Sequence, residues 1–115
     1  MTYLENIKYI AEHITDEEIL CQIAEEASEL AQAALKLKRT LSKSNPTPVT
    51  FAEAKDKFLE EYADIIVCFD VYEEKDGDKL FSSVEFISDR KASRWVTRLR
   101  QSQIKNDFRE KKDDR

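Results

Sequence analysis

The sequence predicts an all-α fold, a bundle of about four helices. Three observations carry that expectation. Breakers are rare, with one glycine and two prolines in 115 residues. Strong helix formers (Glu, Lys, Ala, Leu) are plentiful. Apolar residues recur three and four apart along extended stretches, the signature of a helix with one buried face. Hydrophobic residues make up 41% and charged residues 37% of the chain, a balance that suits one domain with one core.

The elements follow in order. A short helix is expected over about residues 3–13. Thr15 then offers an N-cap hydroxyl and Glu18 the reciprocal carboxylate, which opens a second helix over about 16–41. Its expected core stripe is Ile19, Ile23, Ala27, Leu30, Ala34, Leu37 and Leu41. "SKSNPTPVT" reads as a loop, because its two prolines and small polar residues break the period. Thr50 and Glu53 repeat the capping pattern and open a third helix over about 51–75. "KDGD", with the only glycine, closes it. Ser82 with Glu85 is expected to cap a fourth helix ending near residue 104. The domain therefore spans 1–104, and "KNDFREKKDDR", residues 105–115, is expected to fray because almost every side chain is charged. Short connections between long amphipathic helices imply a bundle.

Composition narrows the function. A formal net charge of -5 argues against binding a nucleic acid polymer. No apolar run is long enough to cross a bilayer, so no membrane partner is expected. Cys21 and Cys68 both fall in apolar helical patterns and read as reduced packing residues, which fits a cytoplasmic protein. One histidine and two cysteines do not supply a standard zinc site. His13 precedes the acidic segments and reads as surface or packing.

Two acidic clusters stand out. "EEASE" carries Glu25, Glu26 and Glu29 on the second helix; "EEYAD" carries Glu60, Glu61 and Asp64 on the third. Residues three apart lie on adjacent turns of one side, which pairs Glu26 with Glu29 and Glu61 with Asp64. If the apolar stripes mark the centres of the buried faces, Glu26 and Glu61 sit roughly 70° from centre, and Glu29 and Asp64 about 130°, at about 100° per residue. Packing the two helices together then brings four carboxylates towards one another. Four such groups repel unless some bind protons or a cation intervenes. Mg²⁺ takes carboxylate oxygens, keeps several waters and bridges to substrate phosphates. The bland alternative is a solvated acidic face, the ordinary fate of glutamates on charged helices. Asp64 lies within an apolar run, where an unpaired carboxylate is costly, and this favours the cation. Asp70 is assigned to an exposed helix edge.

With these residues in place, the chain resembles the MazG-like nucleotide pyrophosphohydrolases of the all-α NTP pyrophosphatase superfamily. That family's motif is EExxE followed one helix later by ExxD. It reads here as Glu25-Glu26-Ala27-Ser28-Glu29 and Glu61-Tyr62-Ala63-Asp64, within "IAEEASELAQAALKLKR" and "FLEEYADIIVCFDVY". The likeness spans about residues 16–100. Residues 30–60 make a longer spacer than is usual in the family. The resemblance implies a MazG-like bundle completed by oligomerisation, as a homodimer or homotetramer. It implies cleavage of a (d)NTP between its α and β phosphates to (d)NMP and pyrophosphate. Glu26, Glu29, Glu61 and Asp64 are the implied Mg²⁺ ligands, with Mn²⁺ as a substitute ion.

The residue inventory suits that chemistry. A carboxylate not fully engaged by metal can take a proton from an attacking water, and Glu25 and Glu29 are both candidates. "DRKASRWVTRLR" supplies cations for phosphate: Lys91, Arg94 and Arg98 share one helical side. The stretch resembles the family's C-terminal KxxR segment, which faces phosphate, so Lys91 and Arg94 come first and Arg98 next. The alternative is a solvated basic face. Trp95 can stack on a base, although its neighbours Ile87 and Leu99 favour core or subunit interface. Rival readings are a phosphoribosyl-ATP pyrophosphohydrolase-like enzyme and a non-catalytic helical adaptor. A carboxylate-bridged di-iron bundle ranks below both, because no motif acid has a histidine three residues on.

Overall fold

The computed structural model describes residues 1–42 and 48–113. Every regular element among them is helical: α1 (Tyr3–His13), α2 (Asp16–Thr40), α3 (Phe51–Asp76) and α4 (Asp78–Asp113). The first three form one compact unit, Met1–Gly77, and α4 lies in a second, Asp78–Arg115.

Side chains at the helix starts show why the first three begin where they do. Thr2, Thr15 and Thr50 each accept a hydrogen bond from the backbone N–H three residues on, at 3.1–3.2 Å. Each hydroxyl satisfies one of the donors that a helix N-terminus leaves open. At the first cap the exchange is reciprocal, since the Glu5 carboxylate accepts from the Thr2 N–H. Gly77 ends α3 at φ 78°, a region that suits glycine, and its N–H donates to the Glu73 carbonyl at 2.8 Å. Of the expected proline loop, Ser42 has left α2 and residues 48–50 lead into α3, while 43–47 lie outside the described residues.

α2 and α3 run antiparallel, and α1 packs on α3 near its C-terminal end. Ile7 and Ala11 of α1, Ile19 of α2, and Cys68 and Val71 of α3 make the core. Ile14, Ile23 and Tyr72 close around it. Burying a Val or Ile side chain of this kind contributes about 1.5–3 kcal/mol. Two polar side chains of α3, Asp70 and Lys75, hold α1 in place. The Tyr3 hydroxyl donates to Asp70 Oδ2 at 2.5 Å, which pushes the phenol pKa up to about 12 because ionisation would set two anions together. Lys75 Nζ donates to the carbonyls of Ala11 (3.1 Å) and Ile14 (2.7 Å) and pairs with Asp16 Oδ1 at 3.3 Å. All three ammonium donors are thus used where α1 ends and α2 begins.

The structure corrects several expectations. Asp70 is not an idle edge residue, because Tyr3, far away in sequence, reaches it. α4 starts at Asp78 directly after Gly77, so Ser82 lies inside the helix and caps nothing. α4 runs on to Asp113 with no break near 104. Most consequential, the buried stripes are turned from their expected positions. On α2 the buried or half-buried residues are Ile19, Ile23, Glu26, Leu30, Ala33, Leu37 and Thr40, while Ala27, Ala34 and Leu41 are exposed. On α3 the apolar stripe with its central acid is Ala54, Phe58, Glu61, Ile65, Cys68, Val71 and Tyr72, and Asp70, Glu73 and Lys75 are half-buried near the helix end, while Tyr62 and Phe69 are half-exposed. Both stripes are turned by roughly 50° towards the acids. Apolar content alone did not mark the centre of either face, because the two central acids take positions that would otherwise be apolar.

Removing the Lys75 ammonium strands two carbonyls in a partly buried junction. Lys75→Met is expected to lower unfolding free energy by about 1–3 kcal/mol, read from the urea midpoint at constant slope. An unchanged midpoint would show that water replaces the ammonium at no cost.

Candidate metal centre

Halfway along the α2–α3 pair, Glu26 and Glu29 of α2 meet Glu61 of α3. One carboxylate oxygen from each lies within 4.8 Å of the others. Glu61 is 4% exposed, the one charged residue in the buried set among the described residues. Glu26 is half-buried and Glu29 exposed at the rim. The helix turn explains this grading: relative to the observed stripes, Glu26 and Glu61 sit within about 20° of the face centres, and Glu29 about 80° to one side.

Each inner carboxylate is held by a residue one turn earlier on its own helix. Gln22 Nε2 donates to Glu26 Oε1 at 2.8 Å, and Lys57 Nζ to Glu61 Oε1 at 2.8 Å. The second oxygen of each, Glu26 Oε2 and Glu61 Oε2, is buried without a hydrogen-bond partner. A buried polar atom left unpaired is costly, and here two neighbouring carboxylates each leave one. Carboxylates accept and do not donate, so Glu29 can satisfy Glu61 only when Glu29 carries a proton. The electrostatics follow that logic. The Glu29 pKa is raised, first by sharing a proton with Glu61, then by the charges of Glu26 and Glu61, by burial and by Glu25. The Glu61 pKa is lowered, because the Lys57 hydrogen bond outweighs burial, which pushes the other way.

This donor set fits a hard cation. It offers only oxygen ligands, two of them otherwise unsatisfied, at a spacing that one divalent ion spans. Beside it, Glu29, Gln32, Ala33, Lys36, Lys57 and Glu61 line an open cleft of ≈ 240 Å³.

The other sequence-nominated residues are distributed as follows. Asp64 is exposed and stays outside the three-carboxylate group. Its charge, like that of Glu26, adds to burial in raising the Cys68 pKa. Glu25 is exposed and close enough to add to the Glu29 shift. Lys91, Arg94, Arg98 and Trp95 all lie on α4, in the second unit, and all are exposed. Lys91 and Arg94 line a shallow groove with Ile87 and Arg90, and Arg98 lies outside it. Trp95 is 67% exposed. Sequence reasoning missed Gln22, Lys36 and Lys57. Gln22 and Lys57 were findable: each stands four residues before an acid of the motif, the spacing at which helical side chains meet. Comparison with family models, with curated proteins and with solved structures finds no match to this chain.

The coupling sets a signed expectation. Because Glu29's folded pKa is raised, its proton stabilises the fold fully below the ordinary carboxylate pKa, and that contribution is lost as pH rises through the raised value. Glu61 runs the other way, its contribution present at higher pH and lost as pH falls through the lowered value. Glu29→Gln removes one charge from the crowd. Metal-free Glu29→Gln should therefore melt above the parent, by a margin that widens as pH rises from about 4 towards 7. Calorimetric scans across that range check this, and a margin that shrinks with rising pH would contradict it.

Proposed function

We propose that the chain is a Mg²⁺-dependent nucleoside triphosphate pyrophosphohydrolase that cleaves a (d)NTP between its α and β phosphates. The observation that supports this best is the convergence of Glu26, Glu29 and Glu61 with two buried, unpartnered oxygens among them. These are three of the four acids that the resemblance to the MazG-like enzymes implies as Mg²⁺ ligands. Glu26, Glu29 and Glu61 would hold the ion, with Mn²⁺ as a substitute. Asp64 lies on the same side of the helix pair as Glu29 and would complete the set by turning its side chain inward. Such an ion neutralises phosphate oxygens and lowers the pKa of bound water. Glu29, which lines the cleft, or Glu25, exposed on the same helix, would take a proton from the attacking water. Lys91 and Arg94, followed by Arg98, would meet the phosphates, and Trp95 a base.

The oligomer belongs to the same proposal. At about 100° per residue, Leu20, Ala27, Tyr62 and Phe69 fall on the flank of the α2–α3 pair opposite Glu29 and Asp64. Leu20, Tyr62 and Phe69 are each about half exposed. A homodimer or homotetramer would cover that apolar flank and leave the acidic one open to substrate. No described helix is long and apolar enough to cross a membrane; a cytoplasmic setting fits the free thiols of Cys21 and Cys68. The same uncovered flank also favours a second reading, a helical adaptor without catalysis.

The test is a panel of NTPs and dNTPs with Mg²⁺, reading monophosphate and pyrophosphate separately. Equimolar release of the two is expected. Glu26→Gln and Glu61→Gln should each lower the rate by roughly 100-fold or more while far-ultraviolet circular dichroism stays that of a helical protein. Parent-like rates in both variants would remove the site from the reaction, and no turnover of any nucleotide would favour the adaptor.

A further inference from the structure

The carboxylate centre already contains a cation of its own. Lys57 Nζ lies 2.8 Å from Glu61 Oε1 and 3.8 Å from Glu60 Oε2. The side chains differ in a telling way: Glu61 is 5% exposed, whereas Lys57 is 60% exposed. The acid is fixed in the helix interface, and the base reaches it from a solvated stem. An ordinary surface pair on a helix joins two mobile partners and contributes little. This pair instead neutralises a shielded carboxylate whose other oxygen has no partner. Lys57 also lines the cleft, with Lys36 and Gln32, and so has open space to enter if it lets go.

We propose that Lys57 is a resident counter-ion: its ammonium holds Glu61 when no divalent cation is bound, competes with that cation for the same carboxylate, and swings into the cleft when the cation binds. The proposal rests on reading the acidic cluster as a divalent-metal site. Two positive groups cannot share a shielded carboxylate without repulsion, and the more flexible one leaves. The cost of displacing it is subtracted from the metal's affinity. Lys57 thus protects the metal-free fold from an uncompensated buried charge while weakening the site's hold on its ion. It is a positioning residue for Glu61, and its effect is read in metal binding.

Calorimetric titration of the full chain with Mg²⁺ alone, at fixed pH and ionic strength, tests this. Lys57→Met keeps the apolar stem and removes the charge, and it should bind Mg²⁺ about tenfold more tightly than the parent. Its metal-free form should melt below the parent. Lys57→Gln keeps a hydrogen-bond donor without charge and guards against loss of folding in the first variant; it too should bind more tightly. Lys57→Arg should stay near the parent. Lys55→Met, which removes the same charge from an exposed position two residues away, measures the contribution of net charge alone and should shift affinity far less. Mg²⁺ affinity that is unchanged or weaker in the uncharged Lys57 variants, while the parent binds the ion, overturns this inference and leaves the metal site standing. A parent that binds no Mg²⁺ overturns the metal site and the inference together.

Discussion

Glu61 is the constraint from which the rest of the centre follows. A carboxylate in the contact face of two helices must be compensated, and the chain arranges several partial answers around it. Lys57 neutralises one oxygen from the preceding turn. Glu29 can serve as a partner only by holding a proton, which its raised pKa favours. Glu26 brings a second half-buried acid whose inner oxygen is equally unsatisfied. Replacing Glu61 with leucine would seem to solve all of this, since apolar residues of similar volume often serve as well as a buried charge. Its presence in the middle of the face, flanked by Ala54, Phe58, Ile65 and Cys68, is the physical reason to assign it a task beyond packing.

The surroundings of the acids repeat that logic. Hydrophobic contacts concentrate at one end of the helix pair, where Ile7, Ala11, Ile19, Cys68 and Val71 meet and Lys75 secures the start of α2. The acids occupy the next stretch towards the loop, where small residues such as Ala33 and Ala54 line the contact. A rigid end and a polar middle place two helices at a fixed spacing around groups that would otherwise push apart. Stability and site are therefore opposed within one interface: the core holds closed what the carboxylates would open.

Much of this was legible in the sequence. Helix number and order, the Thr15 and Thr50 caps and the Gly77 stop all follow from local chemistry that acts within four residues. The acid pairs were legible as well, along with the side of each helix that carries them. Their depth was not. An apolar count centred the stripes on Ile23, Ala27 and Leu30, and on Phe58, Tyr62, Ile65 and Phe69, because apolar side chains usually mark the core; the folded chain buries Ala33 and Glu61 and half-buries Glu26, and leaves Ala27, Tyr62 and Phe69 on the exposed flank. Buried charge defeats a method that assumes charge stays outside. The Tyr3–Asp70 bond was out of reach for a different reason, since it joins residues whose proximity only the packing of α1 creates. At α4, Ser82 and Glu85 matched a capping pattern, but Asp78 can already begin a helix after the glycine, and an interior serine is tolerated.

Crystals of the protein grown or soaked with Mn²⁺, examined by anomalous diffraction at the manganese edge, test the central claim most directly. The account predicts a single strong peak, or a close pair, within coordination distance of Glu26, Glu29 and Glu61, with the Lys57 ammonium withdrawn from Glu61. Saturating manganese with no peak at these carboxylates, and Lys57 still bonded to Glu61, would contradict it.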